Sequence, residues 1–123
     1  QRSIKTAEEI ADIEHAVSVS REMYLAAMAA ARPGRHEYEV VAEIIRVATS
    51  RGCDLSFPII CSVHGETLHN HHHANRMEAG DVMVLDSGTM SDARPPVATT
   101  AVTAPPSSAV MRVTRPSTWP AKP

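Results

Sequence analysis

The sequence predicts an α+β chain in which two helices pack on one side of a curved, mainly antiparallel sheet. Three observations carry this. Two long stretches repeat apolar residues near helical spacing. Short runs rich in β-formers follow them, and the two kinds of element are segregated along the chain rather than alternating. The third is a shift in composition after Asp92, which predicts a disordered C-terminal tail over residues 93–123.

The first helix opens at Thr6-Ala7-Glu8-Glu9, a capping box in which Thr6 accepts from the Glu9 amide and Glu9 reaches back. Acids in the first turn also suit the helix dipole. Ile10, Ile13, Val17, Tyr24 and Met28 recur near helical spacing and are expected to form its core face. The Ala-rich stretch through Ala31 continues it, and Pro33-Gly34 ends it. The second helix is expected from Glu37 to about Arg51. Val40, Val41, Ile44, Ile45 and Ala48 give its core face, and Gly52 its C-terminal cap.

Residues 57–63 are rich in β-formers and read as a strand. Thr67 to His69 is expected to be a short strand or its end, and residues 70–79 a polar loop. Gly80-Asp81 makes a turn into Val82-Met83-Val84-Leu85-Asp86, an apolar strand that ends on an acid. There is no internal repeat.

A chain of 123 residues suits one small domain or part of a larger one. It begins at Gln1 rather than Met, so it is expected to be a fragment. The net charge of −2 points to neither nucleic acid nor an anionic membrane. No apolar run approaches the roughly 18 residues of a membrane span. Two cysteines, Cys53 and Cys61, make no disulfide framework; they read as buried, reduced thiols of a cytoplasmic protein. The mean charge hides a split. Residues 1–92 hold all 14 acids and 8 bases, a balance of −6; residues 93–123 hold no acid and 4 bases, a balance of +4. Seven of the nine prolines fall in that last segment, with no Gly, His, Ile, Leu, Phe or Tyr. The boundary is therefore set just after Asp92.

Asp86 is the first candidate for chemistry. A carboxylate at the end of an apolar strand is costly to bury unless a cation or donors meet it. It reads either as a metal ligand or as an acid capping the amides of the Ser87-Gly88 turn. The second candidate is the histidine cluster: His64, His69, His71, His72 and His73. Adjacent side chains on an extended chain alternate sides, so they cannot all converge on one ion. No zinc-finger or HExxH spacing supports them. His71 to His73 read as a solvated loop or as the lining of a substrate cleft. No GxSxG elbow, phosphate-binding glycine loop or dinucleotide fingerprint is present. A Cys61–His64 nucleophile is disfavoured, because burial in an apolar strand raises a thiol's pKa.

Three segments together resemble a known family. "IKTAEEIADIEHA", "RPGRHEYEV" and "FPIICSVHGETLHNHHHANRMEAGDVMVLDSGT" are similar to the Xaa-Pro aminopeptidase and prolidase family of pita-bread metallopeptidases. The resemblance covers residues 4–92, the N-terminal half of that family's catalytic domain, and its His-to-Asp segment is the most specific part. "GETLHNHHH" is closer to the bacterial aminopeptidase P branch than to methionine aminopeptidase. The resemblance implies a partial pita-bread fold. It places Asp86 at the family's first metal-binding aspartate. It places His69 at a histidine that contacts substrate or relays a proton. It also implies two divalent metal ions, manganese in many members, and a peptide substrate with proline at its second position. A homo-oligomer is compatible with the intact enzyme. His64 and His71 to His73 match no ligand of the family.

The sequence departs from the family after Asp86. The family uses five metal ligands, and the second aspartate follows the first by about a dozen residues. Here Val97 and Ala98 stand near that place, and no Asp, Glu or His follows Asp92. Four of five ligands are therefore missing, and one carboxylate binds a dication weakly. The chain alone is expected to be inactive. A frameshift near codon 92 is the expected origin of the Pro-rich tail; the nucleotide sequence tests it. The competing expectation is a non-catalytic domain that binds a partner or a metal through its histidine-rich loop.

Overall fold

A computed structural model of the chain describes residues 4–67, 69–91 and 107–114. The elements run α1 (Ala7–Ala30), α2 (Glu37–Ser50), β1 (Cys53–Leu55), β2 (Ile60–Ser62), β3 (Val82–Ser87), β4 (Thr89–Ser91) and β5 (Ser107–Arg112). The helices begin as their sequence dictates. Thr6 Oγ1 accepts from the Glu9 amide at 3.2 Å, and the Glu9 carboxylate accepts from the Thr6 amide at 2.8 Å. At α2 the Glu39 carboxylate accepts from the His36 amide at 2.7 Å. That bond, reinforced by Arg35, holds the Glu39 carboxyl below its usual range. Gly52 follows α2 with φ of 67°, the left-handed conformation of a C-terminal glycine.

The face of α1 differs from the periodicity reading. Ala16, Val19, Ser20, Met23, Ala27 and Ala30 are buried, whereas Ile10, Val17 and Met28 are exposed. The helix turns its small side chains inward, and small residues allow a neighbouring helix and sheet to approach closely. On α2, Val40, Ile44 and Ala48 are buried as the stripe predicts, but Ile45 is exposed, and Val47, outside the predicted stripe, is buried in the core.

Two antiparallel sheets carry the helices, in the orders β1-β4 and β2-β3-β5. β3 and β4 are separated only by Gly88, so one extended run of chain passes from the three-stranded to the two-stranded sheet. Gly88 lets residues 56 and 57 pack close to this junction: a Cβ there would lie 2.6 Å from Ser56 Oγ and 3.1 Å from the Phe57 ring. β3 alternates. Met83, Leu85 and Ser87 point into the core, and Val82, Val84 and Asp86 point to the other face.

Three differences from the sequence expectation concern strands. β2 covers only Ile60–Ser62, because residues 56–59 turn around Gly88. Thr67 and His69 lie in a bend and a turn rather than a strand. The Pro-rich tail contributes β5, which pairs with all of β3 from Val82↔Arg112 to Ser87↔Ser107. Met111 and Val113 enter the core, and Val113 exchanges backbone hydrogen bonds with Gly80 and Asp81. The tail is therefore not structureless throughout. Mean composition hides a short alternating run, Val110 to Val113, with Met111 and Val113 inward. The rest of the tail, with Asp92, Val97 and Ala98, lies outside the described residues.

Candidate active site

Asp86 reaches its place through strand register. β2 pairs antiparallel with β3 so that Ile60 faces Asp86 and Ser62 faces Val84. These four side chains share the sheet face turned away from the helices. The loop after β2 brings Gly65, Thr67 and His69 to this face, and its residues 73–77 then run back along the start of α2. Gly65 permits the approach to the sheet, since a Cβ at Gly65 would sit 2.5 Å from Val84 Cγ2. The result is a cavity of about 170 Å³ lined by Ile60, Ser62, Gly65, Thr67, His69, Val84 and Asp86. His69 adopts a φ of 51°, an uncommon left-handed conformation for a residue with a side chain. Such strain persists where surrounding structure imposes it, as at ligand sites.

The two residues singled out by sequence are therefore brought to one cavity. Asp86 Oδ1 is buried with no hydrogen-bond partner. A carboxylate oxygen in that state is a cost to the fold unless something else meets it. The amides of the Ser87-Gly88 turn do not cap this oxygen, so the capping reading of Asp86 does not account for it. Behind it, Tyr24 of α1 pins the next residue: its hydroxyl donates to the Ser87 carbonyl at 3.4 Å and accepts from the Ser87 amide at 3.3 Å. Burial pushes the Tyr24 hydroxyl above its ordinary pKa, and the charge of Asp86 adds to that rise.

The remaining histidines stay apart. His64 is exposed and pairs with Glu66 at 3.1 Å. His71 and His72 are exposed, and His73 Nδ1 lies 3.2 Å from the Cys61 carbonyl. Cys61 is fully buried, donates to Met83 Sδ at 3.5 Å, and burial pushes its thiol up to about 12. It is no nucleophile, in agreement with its place in an apolar strand.

Sequence reasoning does not find Ser62, Gly65, Thr67 or Tyr24 as parts of the site. Ser62 has a usable signal, the period-2 alternation with Ile60 across from Asp86. Tyr24 has none, because it touches a residue 63 positions away.

Residues 11–114 match the family model for metallopeptidase family M24. The chain belongs to metallopeptidase family M24. The matched region runs past Asp92 and includes β5, so the family likeness extends further than the motifs indicate. Solved structures agree. Proline aminopeptidase P II from Yersinia pestis is 31% identical with a TM-score of 0.65, over 69% of this chain and 20% of that one. Zinc-substituted aminopeptidase P from E. coli, in complex with product, is 25% identical with a TM-score of 0.75, over 89% of this chain and 24% of that one. The same E. coli protein with the inhibitor Pro-Leu matches at 23% identity and a TM-score of 0.75, a likeness of fold alone, over 89% of this chain and 24% of that one. The M24 chain thus has the helices and antiparallel strands of part of the pita-bread fold, and it spans 20–24% of the length of these structures. Comparison with curated protein sequences gives no match.

The M24 family is metal-dependent, so the donors at the cavity bear on what it holds. Asp86 Oδ1 is the kind of hard oxygen donor that suits a divalent cation. Of the described His, Cys, Asp and Glu residues, only His69 lines the cavity with it. Among the described residues no group of three or more His, Cys, Asp or Glu comes together. The described donors do not fit a two-metal centre. No helix among the described residues is long and apolar enough to cross a membrane.

Gly65 gives a direct check on the cavity. Gly65→Ala places a methyl on Val84 and should lift the loop from the sheet, with a loss of roughly 1–3 kcal/mol in urea unfolding. A neutral outcome contradicts the close approach.

Proposed function

We propose that this chain is the Asp-bearing, N-terminal half of the catalytic domain of an Xaa-Pro aminopeptidase. Such an enzyme removes an N-terminal residue that precedes proline. In this reading Asp86 is a metal ligand and His69 contacts the substrate or relays a proton. The observation that carries it is the buried, unpartnered Oδ1 of Asp86 in a cavity that also holds His69. The intact enzyme would use two divalent ions, manganese by preference, and would take peptides with proline second. Its buried, unpaired Cys53 and Cys61 suit a cytoplasmic location, and the intact enzyme is compatible with a homo-oligomer.

The 123-residue chain itself is proposed to be inactive. No Asp, Glu or His follows Asp92, so one carboxylate and one imidazole stand where several ligands are needed. Water would fill the remaining positions of any ion, and affinity would be low.

Titrating Mn²⁺ into isotopically labelled chain tests the site without needing turnover. Paramagnetic broadening should centre on Asp86 and His69, appear only near millimolar Mn²⁺, and vanish in Asp86→Ala. Broadening centred on His71 to His73, unchanged by Asp86→Ala, would instead support a non-catalytic module that binds metal through its histidine-rich loop.

A further inference from the structure

Glu37 is the only buried charged side chain among the described residues, at 0% exposure. A buried carboxylate costs several kcal/mol unless donors meet it. Three donors do. The Val63 amide donates to Oε1 at 2.7 Å. The Asn75 side-chain amide donates to Oε1 at 3.2 Å and to Oε2 at 3.1 Å, and its backbone amide lies 3.4 Å from Oε2. The backbone reinforces this: Glu37 N–H donates to the Asn75 carbonyl at 3.1 Å, and Tyr38 N–H to the His73 carbonyl at 2.9 Å.

Val63 and Asn75 bracket the segment whose Gly65, Thr67 and His69 line the Asp86 cavity. One carboxylate on the first turn of α2 therefore ties its neck. His69 lies midway, six residues from each end. Between neck and His69 the loop is pressed on the sheet at Gly65 and Val84. The donors converge on an acceptor-only group, which explains why a carboxylate rather than an amide stands here.

We infer that Glu37 is a positioning residue for the candidate site. It closes the neck of the loop and so holds His69 at the cavity of Asp86. The importance of His69 rests on the proposed function; the closing of the neck does not.

Glu37→Gln keeps the volume but turns one acceptor into a donor facing donors. In the full chain it should speed exchange of the Val63 amide about tenfold or more. It should also abolish the nuclear Overhauser effect between the Gly65 α-protons and the Val84 methyls, while amides within α1 and α2 stay protected. Glu37→Gln combined with Asn75→Asp reverses the polarity of the pair. The introduced glutamine would still accept from the Val63 amide through its oxygen, and its own amide would donate to the new carboxylate. The double variant should restore both signals. If Glu37→Gln fails to fold, Asn75→Ala removes the side-chain donor alone and should still weaken the Gly65–Val84 signal. Retention of slow exchange and of that signal in Glu37→Gln overturns the inference, and so does a double variant that folds without recovering them. Absence of Mn²⁺ broadening at Asp86 would count against the proposed function only, because neither signal requires metal.

Discussion

Stability should fall by on the order of 4 kcal/mol as the pH rises from 9.0 to about 12, with Cys61 as the main cause. Burial raises the folded thiol from its ordinary 9.0 to about 12, and the charge of Glu37 adds to the rise. The folded chain thus holds this proton more tightly than the unfolded chain. The stability that follows is fully present below pH 9, is lost as pH climbs through the folded value, and is gone above it. Roughly three pH units at about 1.4 kcal/mol each give the magnitude. Tyr24, also raised by burial, adds to the loss above pH 10. Urea midpoints at a series of pH values measure it. Cys61→Ala should flatten the curve between pH 9 and 12 while lowering stability at neutral pH through the vacated core volume. An unchanged alkaline slope in Cys61→Ala contradicts the burial argument.

Met23→Ala should cost about 2–5 kcal/mol, while Met28→Ala should stay within about 0.5 kcal/mol. Met23 is fully buried in the cluster with Val40, Ile44, Met83 and Leu85. Met28 is 48% exposed on the opposite side of the same helix. Against a total stability of about 5–15 kcal/mol, the first loss is a large share. The pair also decides which face of α1 packs. The apolar period alone favours Met28 with Val17 and Ile10; the structure favours Met23 with Ala16, Val19 and Ala27. Denaturation curves with the reverse ranking would show that the helix is rotated about its axis.

That contrast marks where the sequence is legible. Caps are local, and Thr6, Glu9 and Gly52 do what their types predict. So does β3, whose boundary with the Gly80-Asp81 turn can be read directly. The packing face of α1 is harder to read, because a count of large apolar residues passes over the small ones. An alanine face is an approach surface, and its value depends on the partner helix. β5 escapes a reading by composition, because an average taken across prolines conceals one alternating run.

The candidate site is legible in part. Motif likeness points to Asp86 and His69; strand register places Asp86, and the loop after β2 brings His69 to the same cavity. Glu37 and Tyr24 carry no signal, since each acts across a long sequence separation on backbone amides. Only the fold tells that Glu37 bonds Val63 and Asn75 rather than facing water at the start of a helix.

If this M24 chain carries one metal-binding carboxylate and a substrate histidine without the remaining ligands, it cannot turn over. The decisive assay is hydrolysis of an Xaa-Pro peptide by the 123-residue chain with Mn²⁺ present, compared with Asp86→Ala. No hydrolysis above the Asp86→Ala background is expected. Hydrolysis that Asp86→Ala abolishes would contradict the proposal of an incomplete, inactive site.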